Sequence, residues 1–168
     1  MPDSREVHDS RRLIVMRHAK AGDLPGGPDA ERALRGRGRQ DAAAAGAWLR
    51  DHGFGPDAVI CSPARRARQT WHYVSAELSG TLRVTVDDRL YEAGARQLAG
   101  IIAATAPEVA ALMYVGHNPA AAELIALLTG TEIAFPSAAI AVIDLPGPSW
   151  EQMADGDGVL TASWTPRL

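Results

Sequence analysis

The sequence contains a single cysteine, Cys61, and no long apolar segment. One cysteine cannot form a disulfide within the chain, which favours a reducing compartment such as the cytoplasm. The longest apolar stretches, such as residues 99–106, are much shorter than the ~20 residues that a membrane-spanning helix needs. Residues 1–6 are polar, so we expect no secretory signal. These features predict a cytoplasmic protein that does not bind membranes.

The chain also lacks an excess of positive charge, since its formal net charge is −3. A chain with this charge is not built to bind nucleic acid or an anionic membrane surface. Of its 17 basic residues only Lys20 is a lysine. Together with the abundant alanine, this bias is typical of a GC-rich bacterial genome. The number of arginines is therefore no argument for phosphate binding, whereas their positions can be.

The length of 168 residues, 46% of them hydrophobic, corresponds to one globular domain. We predict a flexible tail over residues 1–10 and a single domain over residues 11–168. Strands are predicted at residues 12–16, 57–61, 82–86, 110–115, 138–145 and 159–164, and helices at residues 38–52, 63–78, 95–105 and 118–128. This alternation predicts a three-layer α/β/α sandwich. Its sheet should be mostly parallel, with the last two strands forming an antiparallel pair at or near one edge.

Two of the five histidines occupy special positions. His18 and His117 each follow a buried apolar strand, and open α/β sheets bind ligands at the carboxyl ends of their strands. His8, His52 and His72 need no such explanation, because they fall in the tail, at a helix end and within a helix. Two strand-end histidines alone are only suggestive of a site.

Arginines follow the second strand. Arg65, Arg66 and Arg68 stand at the start of a predicted helix, whose positive end and guanidinium groups suit a bound anion. They cannot all face the same way on a helix, so one or two of them should be solvated surface residues. Arg17 lies beside His18 and would complete a pocket of two arginines and two histidines.

Three segments together resemble a known family. They are Arg17-His18-Ala19, then Ser62-x-x-x-Arg66-Ala67-x-Gln69-Thr70, then Gly116-His117-Asn118-Pro119. In content, order and approximate spacing they resemble the histidine phosphatase superfamily, also called phosphoglycerate-mutase-like. The short chain, with Lys20 after the first motif, looks most like the SixA-type phosphohistidine phosphatases.

The resemblance implies a role for each matching residue. His18 would be the nucleophile, Arg17 and Arg66 would clamp the phosphate, and His117 would contact and stabilise it, with Asn118 as a further phosphate-binding residue. Arg65 receives no role, because the motif places its arginine four residues after Ser62. Residues 32–38 resemble the family's segment before the first helix. Arg35 stands there where relatives usually have Ser or Thr, which puts a hydroxyl contact in doubt.

These residue types suit phosphoryl transfer without a metal. Imidazole is nucleophilic when neutral, and neighbouring arginines would favour that form of His18 while dispersing phosphate charge. The second ring nitrogen needs an acceptor, most simply a backbone carbonyl. We expect no cofactor and no metal, since the carboxylates do not cluster near the histidine motifs in the sequence.

Glu92 is a candidate general acid, because it follows the third strand where larger relatives place an acidic residue. It is equally well explained as a surface residue at a helix start. An acid could also be dispensable, because imidazole leaves readily once protonated whereas an alkoxide does not.

The resemblance implies that the substrate is a phosphorylated protein or a small phosphorylated molecule. Only 51 positions separate Arg66 from His117, which leaves little chain for a lid and favours phosphohistidine on a protein surface. The alternatives are a broad-specificity or small-molecule phosphomonoesterase and a phosphate-binding module without catalysis, with a mutase least favoured. The oligomeric state is left open.

Overall fold

The computed structural model describes residues 10–167. The predicted tail lies outside these residues except for Ser10, which begins the first strand. Within the described part of the chain, six strands form one sheet: β1 Ser10–Arg17, β2 Ala58–Cys61, β3 Arg83–Val86, β4 Ala111–Gly116, β5 Ile140–Pro146 and β6 Val159–Trp164. Four α-helices accompany them: α1 Gly36–Asp51, α2 Arg65–Ser75, α3 Ala95–Ala103 and α4 Ala120–Thr129. Three short 3₁₀ helices cover Asp29–Glu31, Asp88–Tyr91 and Trp150–Gln152.

The strand order is β3-β2-β4-β1-β5-β6. The first four strands are parallel, β5 is antiparallel to β1, and β6 is antiparallel to β5 at the sheet edge. This confirms the predicted α/β class, the mostly parallel sheet and the antiparallel pair at its edge.

Strand β1 lies in the middle of the molecule and is buried on both faces. Leu13 and Val15 pack on one side in a cluster with α3 and α4, while Ile14 and Met16 pack on the other with α1 and α2. All four side chains are 0% exposed, and burial of each contributes about 1.5–3 kcal/mol. The continuous apolar run of β1 is thus the centre of a three-layer sandwich.

Register places the ends of two strands side by side. Arg17, the last residue of β1, pairs with Gly116, the last residue of β4. His18 and His117 therefore leave the same edge of the sheet as neighbours. A side chain at Gly116 would meet the Tyr114 hydroxyl, since a Cβ there would lie 2.0 Å from it.

The start of α4 differs from the prediction. The sequence predicts this helix from residue 118, whereas the structure begins it at Ala120. The Asn118 amide instead donates to the carbonyl of Phe135 (2.8 Å) while its oxygen accepts from Ala122 (3.3 Å). A long-range partner therefore sets the side chain of Asn118. None of the helices described over residues 10–167 has the length and hydrophobicity required to cross a membrane.

Candidate active site

The backbone of His18 is fixed on both sides by neighbouring strands. Its N–H donates to the carbonyl of Gly116 (2.8 Å), and its own carbonyl accepts from the N–H of Ala138 (3.1 Å). Ala138 carries a positive φ of 66° although it is not a glycine. The sheet therefore determines where the His18 side chain lies.

The tautomer of the His18 ring is set by a backbone carbonyl. Nδ1 lies 2.8 Å from the carbonyl oxygen of Ala19, and because a carbonyl only accepts, Nδ1 must carry the proton. Nε2 is then left with its lone pair. A backbone carbonyl is the acceptor that the sequence led us to expect for this nitrogen.

His18 is neutral at physiological pH. Burial lowers its pKa from 6.5 to about 4; the hydrogen bond to Ala19 opposes this shift, and the charges of His117, Arg66 and Arg17 add to it. The side chain is nearly enclosed, at 9% exposure. A neutral imidazole with a lone pair on Nε2 is the nucleophilic form.

His117 faces His18, with ring centroids 5.3 Å apart. Its Nε2 lies 2.7 Å from the hydroxyl of Ser62, and that hydroxyl oxygen accepts from the N–H of Ala64 (3.3 Å). Ser62 is 0% exposed, so its O–H donates to Nε2 and the His117 proton resides on Nδ1. Burial, followed by the charge of Arg66, lowers the pKa of His117 to about 4.

Three N–H groups around this pocket have no hydrogen-bond partner among residues 10–167. They are Nε of Arg17, Nε of Arg66 and Nδ1 of His117, and all three atoms are buried. Buried donors normally find an acceptor, and the three residues that carry them line one cavity of about 440 Å³ beside His18, which suits a bound oxyanion. The predicted residues Arg17, His18, Arg66 and His117 are thus brought together.

The arginines of α2 separate as the helix geometry requires. Arg66 is buried, at 7% exposure, on the same face as Thr70 and Val74. Arg65 and Arg68 are exposed, and Nε of Arg68 donates to the carbonyl of Pro63 (2.9 Å). The expectation that Arg66 rather than Arg65 reaches the pocket agrees with this placement.

Thr70 and Gln69 position the loop after β1. The Thr70 hydroxyl accepts from the N–H of Ala19 (2.9 Å) and donates to the carbonyl of Arg66 (2.7 Å). The Gln69 side chain accepts from the N–H of Leu34 (2.7 Å). These contacts tie the loop of His18, the helix of Arg66 and the segment before α1 together.

Sequence reasoning missed Asp29, Arg32 and Tyr91, which also line the cavity. The Asp29 carboxylate accepts from Arg66 (3.0 Å), from Arg32 (3.0 Å) and from the Tyr91 hydroxyl. One carboxylate thus lies in the pocket of the histidine motifs, because the segment before α1 folds Asp29 into it. The sequence signal that could have identified Asp29 is its position three residues before Arg32, which begins the segment that resembles the family.

Two of the predicted site residues, Glu92 and Asn118, have a less direct relation to the cavity. Glu92 is exposed and does not line the cavity, whereas its neighbour Tyr91 does. Asn118 lines the cavity, but its amide is engaged with backbone groups as described above. Over residues 10–167, no group of three or more His, Cys, Asp or Glu side chains is arranged to hold a metal ion.

The fold and this pocket together define an α/β protein with paired histidines and arginines at the carboxyl ends of its parallel strands. The family model of the histidine phosphatase superfamily (branch 1) matches residues 13–134. The chain belongs to this superfamily. An uncharacterised protein of Mycobacterium tuberculosis is 34% identical over 163 residues, covering 90% of this chain and 100% of the relative.

Three solved structures are similar over almost their whole length. A candidate phosphohistidine phosphatase SixA of Nakamurella multipartitia has a TM-score of 0.84 and 28% identity, covering 94% of this chain and 96% of that one. The corresponding Agrobacterium tumefaciens protein has a TM-score of 0.82 and 27% identity, covering 93% and 98%. The protein histidine phosphatase SixA in complex with tungstate has a TM-score of 0.78 and 26% identity, covering 90% and 95%. These similarities assign the chain to the SixA-type branch and support phosphatase activity.

Proposed function

We propose that the protein removes phosphate from phosphohistidine in a protein, through a covalent phosphohistidine intermediate on His18. The observation that carries this proposal is the state of His18. Its Nδ1 is held by the Ala19 carbonyl, so its Nε2 lone pair is available beside three buried N–H donors. A pocket that only bound phosphate would need the donors but not the nucleophile.

In the first step the Nε2 lone pair of His18 attacks phosphorus. A bond forms between Nε2 and phosphorus while the bond from phosphorus to the leaving group breaks, and its electron pair departs with the leaving group. Arg17, Arg66 and Nδ1–H of His117 bind the equatorial oxygens. The His18 ring becomes cationic, and the Ala19 carbonyl stabilises the proton on Nδ1.

In the second step a water molecule attacks phosphorus of the intermediate. A phosphorus–oxygen bond forms, the bond to Nε2 breaks, and its electrons restore the neutral ring of His18. The proton lost by water passes to phosphate or to solvent. Because Nδ1 keeps its proton throughout, the His18 ring leaves without a separate acid.

The charge required for both steps comes from side chains of this chain. Two guanidinium groups and a histidine N–H surround the transferred phosphoryl group, so no step is routed through a metal ion or a cofactor. We therefore propose a metal-independent reaction.

Phosphohistidine in a protein is the proposed substrate on two grounds. The similar structures of the SixA type are described as phosphohistidine phosphatases, one of them bound to tungstate, a tetrahedral oxyanion like phosphate. The cavity also opens to solvent, since the side chain of Asp29 in its wall is 53% exposed. A histidine side chain on a protein surface can reach such a site.

A substrate panel tests this function. We expect a phosphohistidine peptide to be hydrolysed in the presence of chelator, with a loss of at least about 1,000-fold in His18→Ala. The matched control is His72→Ala, because His72 lies exposed on α2 and outside the cavity. Loss of activity in chelator would contradict metal independence. A higher kcat/KM for small phosphomonoesters than for the peptide would show that the protein is a small-molecule phosphomonoesterase. Binding without any turnover would indicate the non-catalytic phosphate-binding module.

A further inference from the structure

Asp29 takes no part in the two steps above, although its carboxylate lies in the wall of the pocket. Its Oδ2 accepts from Nη2 of Arg66 at 3.0 Å and from the Tyr91 hydroxyl. Its Oδ1 accepts from Nε of Arg32 at 3.0 Å. The side chain is nevertheless 53% exposed.

A carboxylate is an unexpected neighbour for a phosphate site, because two anions repel each other. Asp29 cannot serve as a general acid either. The Tyr91 hydrogen bond, together with Arg66 and Arg32, lowers the pKa of Asp29 to about 2 against the opposing effect of burial. It therefore carries no proton at neutral pH that it could give to a leaving group.

Asp29 does have room for one more hydrogen bond. A carboxylate offers about four lone-pair positions, and the protein donors Arg66, Tyr91 and Arg32 fill three of them. Oδ1 has Arg32 as its protein partner, so it can accept from a further N–H. An anionic acceptor on a solvent-facing wall selects a ligand group that donates and is positively charged.

The position of Asp29 relative to the nucleophile is also informative. His117 lies between the two in a series of contacts: its ring centroid is 5.3 Å from that of His18 and 5.8 Å from that of Tyr91, which donates to Asp29. The carboxylate charge acts on His117, whereas the charges that act on His18 are those of His117, Arg66 and Arg17. Asp29 thus lines the same cavity as His18 but contacts Arg66 and Tyr91 rather than His18, and in an in-line reaction the leaving group lies on the side of the phosphate away from the nucleophile.

We propose that Asp29 binds the leaving imidazole of a phosphohistidine substrate, accepting the N–H of the ring nitrogen that does not carry phosphorus. This inference rests on the proposed function. It makes Asp29 a specificity-determining residue for the first step.

The bonds and protons balance. The substrate ring enters protonated on its second nitrogen, so it carries a positive charge that Asp29 stabilises. When the phosphorus–nitrogen bond breaks, its electron pair stays on the nitrogen that carried phosphorus, and the ring leaves as neutral imidazole. The second nitrogen keeps its proton throughout, which mirrors the arrangement of His18 with the Ala19 carbonyl on the opposite side of the transferred group.

The same carboxylate disfavours phosphomonoesters. An alkoxide or phenolate leaving group has no N–H to donate and develops negative charge, which Asp29 repels. Asp29 therefore discriminates between phosphohistidine and other phosphate compounds by the chemistry of the leaving group.

The test compares kcat/KM for a phosphohistidine peptide and for p-nitrophenyl phosphate in wild type, Asp29→Asn and Asp29→Glu. We expect Asp29→Asn to lose about 10- to 100-fold on the peptide, the size of one hydrogen bond to a charged group. The ratio of kcat/KM for the peptide to kcat/KM for the aryl phosphate should fall by at least about 10-fold, because any effect through Arg66 is common to both substrates, and Asp29→Glu should recover part of the peptide activity. Asp23→Asn is the matched control, since Asp23 lies in the same loop and forms only an exposed ion pair with Arg35 at 3.9 Å.

An equal loss on both substrates would overturn the inference, because it would mean that Asp29 only orients Arg66. An unchanged ratio with no loss on either substrate would overturn it as well. Hydrolysis of the aryl phosphate by wild type without hydrolysis of the peptide would overturn the proposed substrate and, with it, the role of Asp29.

Discussion

The imidazole of His117 lies edge-on to that of His18, with ring centroids 5.3 Å apart and an angle of 61° between the ring planes. The pairing of Arg17 with Gly116 at the ends of β1 and β4 sets this arrangement. Nδ1 of His18 is engaged by the Ala19 carbonyl, and Nε2 of His117 is engaged by the Ser62 hydroxyl. One ring thereby supplies a lone pair and the other an N–H.

Acid should destabilise the protein through these rings. The pKa of His18 falls from 6.5 to about 4 on folding, so the unfolded chain binds more protons between these values. The stability from this group is complete above pH 6.5 and is lost as pH falls through about 4. The loss amounts to about 3 kcal/mol for His18.

Denaturant unfolding of wild type and His18→Gln between pH 7 and pH 4 measures this effect. The carboxylates titrate in both proteins, so the difference isolates His18, and wild type should lose stability more steeply. Identical slopes would mean that His18 is protonated in the folded protein or is not desolvated.

Ser62→Ala should lower kcat/KM by about 10-fold, the effect of losing one hydrogen bond. Without the hydroxyl, the proton of His117 is no longer held on Nδ1, the nitrogen that faces the phosphate. The affinity for tungstate should fall in parallel. Ser75→Ala is the control, because the Ser75 hydroxyl only bonds to the carbonyl of His72 on the same helix; an equal effect of both changes would contradict the assignment.

Arg66→Lys should lower kcat/KM by about 100-fold. A lysine cannot reproduce the guanidinium, which binds Asp29 through two nitrogens while its Nε is buried without a partner among residues 10–167. Arg65→Lys, one residue away on the exposed face, should change kcat/KM by less than about twofold. Steady-state kinetics of the two variants distinguish the two arginines. Similar losses of kcat/KM in both variants would show that Arg65 also contributes to the pocket.

Thr70→Val should lower the free energy of unfolding by about 1–3 kcal/mol, because it leaves the Ala19 N–H without its buried partner. Valine has nearly the same shape, so packing is retained. Thr85→Val on the exposed strand β3 should change stability by less than about 0.5 kcal/mol. Urea denaturation measures both, and an undiminished stability in Thr70→Val would contradict the role given to this hydroxyl.

The sequence was sufficient where short-range pattern and strand order decide the outcome. The apolar runs of β1 and β4 predicted two buried parallel strands, and these placed His18 and His117 at one sheet edge. Helical spacing indicated that Arg65, Arg66 and Arg68 cannot all face the pocket, whereas the choice of Arg66 came from the resemblance to the family motif. These features depend on periodicity and on the rule for strand ends, both of which are readable from one chain.

The remaining features depend on loop geometry. Asp29 contacts Arg66, which lies 37 positions further along the chain. Asp29 follows a Gly- and Pro-rich loop, and no periodicity in the sequence determines the path of that loop. Tyr91 lines the cavity and its neighbour Glu92 does not, because the short 3₁₀ helix that ends at Tyr91 orients the two side chains differently. The Ser62–His117 contact links two strand ends that are adjacent only in the folded sheet.

The central claim is that phosphate passes through His18, and trapping the phosphoenzyme tests it most directly. Wild type mixed with a phosphohistidine peptide, quenched in alkali within the first turnover and digested, should yield by mass spectrometry a fragment phosphorylated on His18. His72→Ala should give the same fragment, and His18→Ala should give none. Phosphate found on another side chain, or turnover that continues in His18→Ala, would contradict the account.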